Sequence, residues 1–486
     1  VEFSSTGSSR ISPCWNSAGN LFNGNIILNS TGTSIGISIG AGSAASSATM
    51  SSGNTILTGS AGFSSGYLIL QRFTQLGSAP MTFSLPPTAN YFYVGPNTTI
   101  GGNLSVTAPY FSNVIQSVFN GNIDFLKTGA GNETWSGGNT YNGTSSFTNS
   151  GTGHMGMAWS FPDTFNDVTF TCTGPERIMP AWVAAGNLFN GNITVNSYSS
   201  SVGIHFCGST GTATMAATGT IGIGSAGYSS GYLILRRFTQ LGNAAINLSL
   251  SPTASYIQYG PNSAFGGDVV SISPGLLFNG AVFSGSVHTT KYGASNDQGS
   301  GTNIFNGPST FLQTGSGYLM MGNGGSDQYN STSEFVNTGS GNMHIAYNSS
   351  GNIFGGRARF TNLPSSSSAA IYVGSYAINN STFNDSIVVN NVNGTGIQFG
   401  SNSGTSTLSA GNKIVTGTYG FDSGTLLFRN FTQLGGTAQS FTTTGTSLVQ
   451  FGPSATFGGD VTSVSPGLLF SGCTFSGSTT CTKTGA

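Results

Sequence analysis

One heptad-sized motif recurs almost letter for letter along the chain, and it constrains the fold more than any other feature. Gln71-Arg72-Phe73-Thr74-Gln75-Leu76-Gly77 returns as Arg237-Phe238-Thr239-Gln240-Leu241-Gly242 and again as Asn430-Phe431-Thr432-Gln433-Leu434-Gly435. Other markers keep the same step. The run from Ala18 to Ile26 matches Ala185 to Ile193, and Lys127-Thr128-Gly129-Ala130 matches Lys291-Tyr292-Gly293-Ala294 and Lys483-Thr484-Gly485-Ala486. The chain therefore holds nearly three tandem modules: a partial first module over 1–130, a second over 131–294 and a longer third over 295–486. Val1 and Ala486 both align with positions inside a module, and no terminal cap or signal peptide is evident, so the sequence reads as a window on a longer array.

A second, shorter period lies inside the modules. An aromatic followed by Asn or Gly recurs as Tyr141, Phe165 and Phe189, at spacings of 24 and 24. It recurs as Phe305, Tyr329, Phe354 and Phe383, at 24, 25 and 29. Phe265 and Phe283, like Phe457 and Phe475, are 18 apart. The extra length of the third module corresponds to one added short unit near 355–383. Short units that can be gained singly, each about 18–29 residues, point to a solenoid in which each unit touches only its neighbours. Period-two alternation, as in Asn192-Ile193-Thr194-Val195-Asn196, marks strands, and Gly, Asn and Ser clusters mark corners. Leucine-rich repeats need a Leu/Asn pattern absent here, and propeller blades need about 40–50 residues. The expectation is an all-β parallel β-helix (β-solenoid) with roughly twenty coils at ~4.8 Å per coil. Phe22, Tyr141, Phe165, Phe189, Phe265, Phe283, Phe305, Tyr329, Phe354, Phe383, Phe457 and Phe475 would form its structural ladder. The aromatic marker lapses between Phe189 and Phe265, which leaves coils with a different corner or an inserted hairpin or sandwich.

Composition narrows the function classes. Lys+Arg number 12 and Asp+Glu 13, so only 5% of the 486 residues are charged, against about 25% in an average globular protein. A net charge of -1 offers no basic surface for nucleic acid. No apolar run approaches the ~20 residues of a membrane-spanning helix. With 37% hydrophobic residues and 34 Phe, the chain has apolar surface that must pack rather than remain disordered.

The aromatic-Asn-Gly units, the stretch Ser230-Gly231-Tyr232-Leu233-Ile234-Leu235 leading into Arg237-Phe238-Thr239-Gln240, and Ser273-Pro274-Gly275-Leu276-Leu277-Phe278-Asn279-Gly280 resemble repeat modules of giant secreted surface proteins of Bacteroidota. The resemblance covers essentially the whole chain. It implies an adhesin-like or filament-forming protein at the cell surface, exported by a type IX secretion route.

Candidate chemistry is sparse. β-Helical polysaccharide lyases and hydrolases cluster acidic and basic residues on neighbouring coils, whereas the acids here are scattered. Asp268 and Asp460 share a module position with Asn103 and read as corner residues; Asp163 and Asp167 flank Phe165 and read as a solvated turn. His154, His205, His288 and His344 lack metal-ligand spacing. Cys14, Cys172, Cys207, Cys473 and Cys481 sit at unrelated module positions, an odd count that argues against a disulfide framework, with a local Cys473–Cys481 pair as the one alternative. Lys127, Lys291 and Lys483 recur once per module, as do Arg72, Arg237 and Arg429; a recurring cation in such a chain is expected to satisfy turn carbonyls or a ladder end, with binding of a carbohydrate or a neighbouring chain as the alternative. Asp385-Ser386-Ile387 matches a short O-glycosylation acceptor, which makes Ser386 a candidate. No catalytic, cofactor or metal site is assigned.

The leading expectation is a non-enzymatic, extracellular structural and adhesive repeat protein forming an elongated rod or filament. Self-association or continuation of the array supplies its partners, with surface glycans as a further partner class. The alternatives are a β-helical polysaccharide-degrading enzyme and a glycan- or ice-binding module, the last requiring Thr at a coil-length period that runs such as Thr442-Thr443-Thr444 do not keep.

Overall fold

The computed structural model describes residues 1–486 except 41, 43–45, 366–367, 377–379, 401–402 and 486. Ala486, the last residue of the third Lys-Thr-Gly-Ala marker, lies outside the described residues. Among the described residues the chain is all β, and no helix is long and apolar enough to cross a membrane. The chain divides into two compact units, Val1–Gly242 and Asn243–Ala486. The division falls inside the second sequence module. In a solenoid every coil touches only its neighbours, so compactness need not follow the sequence period.

A coil typically has three strands, and most strands pair in parallel with their equivalent one turn later. The ladder is interrupted between Ile56–Phe63 and Met81–Ser84, between Phe111–Val114 and Glu133–Thr134, between Leu276–Phe278 and Asp297–Gln298, and between Ile414–Phe421 and Gln439–Thr442. In the first unit, a first face is built from Ile123–Lys127, Ser145–Asn149, Val168–Cys172 and Ile193–Ser197, paired residue for residue. A second face holds Glu133–Thr134, Met155–Gly156, Arg177–Met179 and Gly203–Phe206. A third holds Ser117–Phe119, Thr140–Tyr141, Thr164–Phe165 and Asn187–Phe189. The second unit repeats the plan, with Val287–Lys291, Ser309–Gln313, Ser333–Asn337, Ala358–Asn362 and Ile387–Asn391 on its first face. This is a parallel β-helix. Its coils differ in length: the step from Val269 to Val287 is short, whereas that from Ile26 to Ile56 is long.

The alternation of residue types explains the strands. Along Val168–Cys172, Val168, Phe170 and Cys172 are buried while Thr169 and Thr171 point outward. Each buried Phe contributes about 2–3 kcal/mol of transfer free energy, and the outward Thr favours the extended backbone by its branched Cβ. The gap in the aromatic marker after Phe189 is made of regular coils, not a hairpin. On the third face of the first unit Met215 pairs with Phe189, and Gln240 pairs with Met215. The aromatic slot is simply filled by Met and then Gln.

The corners need unusual backbone. Arg72, Arg237 and Asn430, each immediately before the Phe of the long repeat, adopt φ of 48°, 44° and 47°. One glycine per repeat is obligatory: Gly36, Gly203 and Gly396 have φ of 128°, 116° and 132°. A Cβ on Gly203 would lie 2.0 Å from the carbonyl oxygen of Tyr232 in the next coil. Gly203→Ala is therefore expected to cost about 2–4 kcal/mol, combining a positive φ with a backbone clash. Gly222→Ala, where no atom lies within 4 Å of the added Cβ, should stay within ~0.5 kcal/mol of the parent. Chemical denaturation of the two variants checks the contrast; equal stabilities would overturn it.

Candidate functional site

The aromatic positions read from the short period lie inside the coils. On the third face of the first unit, Phe119, Tyr141, Phe165 and Phe189 stack face to face with centroid separations of 5.1, 4.9 and 5.0 Å. In the second unit Phe265, Phe283, Phe305, Tyr329, Phe354 and Phe383 stack at 5.2, 5.1, 5.1, 4.9 and 4.5 Å. Phe457 and the half-buried Phe475 stack at 5.8 Å. Phe22 is half-buried, pairs in register with Met50 and meets Phe3 edge to face. A second ladder on the first face has no counterpart in the sequence reading. Phe311, Phe335 and Phe360 stack at 5.3 Å each, and Phe125, Phe147 and Phe170 hold the same positions in the first unit. These rings sit at the centre of their strands among Ser, Thr and Asn, as in Ser145–Asn149, so no aromatic-Asn-Gly signature marks them.

Polar side chains form ladders of their own. The last position of the first-face strands described above is buried: Lys127, Asn149, Cys172 and Ser197 in the first unit, Lys291, Gln313, Asn337, Asn362 and Asn391 in the second. Asn337 donates to the Asn362 side chain at 3.1 Å, and Asn362 to Asn391 at 2.6 Å. Lys127 caps its series by donating to the carbonyls of Gly129 and Gly153 at 2.7 and 2.9 Å. Lys291 reaches Gly293 and Gly317 and lies 3.7 Å from the Asp297 carboxylate. These two recurring lysines thus satisfy turn carbonyls, as expected from their spacing. Lys483 is exposed. Shortly after each buried lysine comes a buried acid, Glu133 or Asp297. Burial pushes both carboxyls up, and the neighbouring lysine pulls them back down. Burial likewise lowers both lysines, opposed by these acids.

A second polar ladder lies at the corner before the third face. Asp163 is fully buried rather than on a solvated turn, which corrects the sequence expectation. Its Oδ1 accepts from the backbone and side-chain nitrogens of Asn139 at 2.8 and 3.0 Å, and its own amide donates to Asn187 Oδ1 at 2.8 Å. The second unit has the same arrangement with Asn303, Asp327 and Asn352. Burial pushes Asp163 up to about 7 and Asp327 to about 6, against the lowering effect of the asparagine bonds. Asp167, Asp268 and Asp460 are corner residues whose Oδ1 accepts the backbone amides of Asn192, Ser286 and Ser478.

The remaining candidates are dispersed. All five cysteines are free thiols, Cys473 and Cys481 among them. His205 and His344 are both pushed down to about 4 by burial. His205 packs edge-on to Trp182, and His344 stacks on Tyr372 at 5.0 Å. Ser386 is half-buried and its hydroxyl accepts the Lys413 amide at 3.2 Å. The recurrent Gln of the long motif is also buried: Gln75 donates to the Ala79 carbonyl at 2.6 Å and accepts from the Gly102 amide at 3.1 Å, clamping the corner. Outward on the third face of the second unit, Thr382, Thr407, Thr432, Thr456 and Thr474 form one column in register. The abundance of Thr at other positions hides that column in the sequence.

No protein-family model, curated protein or solved structure matches the chain.

The buried aspartates carry a pH dependence. Their carboxyls titrate higher in the folded protein than the value near 4 of an unfolded chain, so the folded state binds more protons between the two values. Their contribution is complete below about pH 4 and is lost as pH rises to about 6 for Asp327 and 7 for Asp163. Asp163→Asn should flatten this decline and raise stability at pH 8 by ~2–4 kcal/mol relative to the parent. Thermal unfolding at pH 4.5 and 8 checks it; an unchanged slope refutes the assignment. Lys291→Ala should cost about 3–5 kcal/mol by stranding the buried Asp297, read by chemical denaturation.

Proposed function

We propose that this chain is an extracellular structural and adhesive repeat element, forming part of an elongated rod or filament at a cell surface. The parallel β-solenoid is compatible with a repeat structural protein. The carrying observation is how the scarce charges are used. Lys127, Lys291, Glu133, Asp163, Asp297 and Asp327 are buried in ladders and corner contacts, where they hold coils together. Outward rows such as the Thr382–Thr474 column present hydroxyl side chains. Such a surface repels neither a neighbouring copy nor a neutral glycan. Export to the surface is supported by the resemblance to secreted Bacteroidota repeat modules, and a non-enzymatic role by the use of the buried acids in architecture.

Hydrogen exchange followed by mass spectrometry tests the structural part of this reading. Amides of interior strands such as Ser145–Asn149 and Ser333–Asn337 are expected to resist exchange far longer than the corners. Uniform fast exchange would sink the structural role, and cleavage of common polysaccharides by the purified chain would replace it with the enzymatic one.

A further inference from the structure

The added coil of the second unit carries residues that the rest of the repeat lacks. Between Lys127 and the Phe-Thr-Gln motif of the first unit the third-face positions run Tyr141, Phe165, Phe189, Met215 and Gln240. The second unit has one more: Phe305, Tyr329, Phe354, Phe383, Leu408 and Gln433. The unmatched coil, Phe354 to Phe383, contains Arg357 and Arg359, two of only 12 Lys and Arg residues in the chain. Both line an open groove of about 280 Å³ on the outer side of the first face, with Thr310, Thr332 and Glu334.

The pairing register places these groups. Thr310, Glu334 and Arg359 are successive members of one outward row, so they repeat at ~4.8 Å along the sheet. Glu334 and Arg359 approach to 3.7 Å, with side chains 39% and 43% exposed. A contact that long and that wet is a weak pair, and it leaves guanidinium N–H groups unused. Arg357 is exposed and its guanidinium has no partner among the described residues. The bland reading is an ordinary cross-strand Glu–Arg pair that stabilises the sheet. It accounts for Glu334 and Arg359 and leaves Arg357 unexplained.

We propose that this groove binds a carboxylate-bearing polysaccharide, a linear polyuronate in chemical class. A guanidinium fork matches a carboxylate by two parallel charge-assisted hydrogen bonds. The hydroxyls of Thr310 and Thr332 suit sugar hydroxyls, and a groove that spans three neighbouring strands has room for sugar residues beside a bound carboxylate. Glu334 opposes the ligand electrostatically and restrains Arg359 laterally. This assignment rests on the adhesive reading above and names its ligand class.

The test is affinity electrophoresis and calorimetry of the full chain with polygalacturonate, with neutral dextran and citrate as comparison probes. The expected result is salt-sensitive binding of polygalacturonate, no binding of dextran and much weaker binding of citrate. Arg357→Ala and Arg359→Ala should each weaken polygalacturonate binding by about tenfold, whereas Glu334→Gln should strengthen it about threefold by removing the opposing charge. A purely structural Glu–Arg pair would give no such opposite signs. No binding of polygalacturonate, equal binding by the double arginine variant, or citrate bound as tightly as the polymer would each overturn the proposal. Circular dichroism checks that the outward substitutions leave the fold intact. Hydrogen exchange separates the two levels: a chain with a protected core that fails to bind loses this site alone, while fast exchange throughout removes the structural reading beneath it.

Discussion

Parallel in-register stacking governs everything else in this molecule. Once Ser145 pairs with Val168 and Val168 with Ile193, every side chain lies ~4.8 Å from its equivalent in the next coil. An interior position therefore becomes a column, and a column is stable only if its members tolerate one another at that distance. Aromatic rings do so by offset stacking. Asparagines do so by donating the amide of one to the carbonyl of the next, as Asn337, Asn362 and Asn391 do. Like charges do not.

The scarcity of charge follows from that rule, and so does its placement. The buried lysines appear once per series, with Asn149 following Lys127 and Gln313 following Lys291, so no cation faces another along the column. Asp163 and Asp327 obey the same constraint by a different route. Each is flanked on both sides by asparagine, which supplies N–H groups to Oδ1 on one side and an acceptor for the Asp amide on the other. The surviving cost is desolvation, and it emerges as the raised pKa of both carboxyls. A ladder that alternates Asn, Asp and Asn is therefore stable in mild acid and strained in mild base.

The legible part of this architecture was the part carried by rigid spacing. Tyr141, Phe165 and Phe189 recur at an even step because the coils between them are of equal length. The long motif recurs because its Gln clamps a corner and the residue before its Phe adopts positive φ. Columns made of a residue type that is common everywhere in the chain were hidden. Thr382, Thr407, Thr432, Thr456 and Thr474 keep the coil-length step, but Thr also fills many other positions, so only the register picks them out. Asp163 looked like half of a solvated turn because Asp167 follows so closely. The strand Thr164–Phe165 lies between them and begins a new face, so one carboxylate turns inward and the other stays at the corner.

The same logic separates what the added coil preserves from what it changes. Its interior follows the rule of its neighbours: Phe354 stacks on Phe383, Phe360 continues the column of Phe311 and Phe335, and Asn362 joins the amide ladder. Inside, the coil continues the columns of its neighbours. Its outward positions are freed from that constraint because water surrounds them. Arg359 can stand opposite Glu334, with Arg357 beside it, without disturbing a single interior contact. A solenoid of this kind writes its stability on inward positions and leaves outward ones free to vary, so that insertion of one coil can change the surface while leaving the core pattern intact.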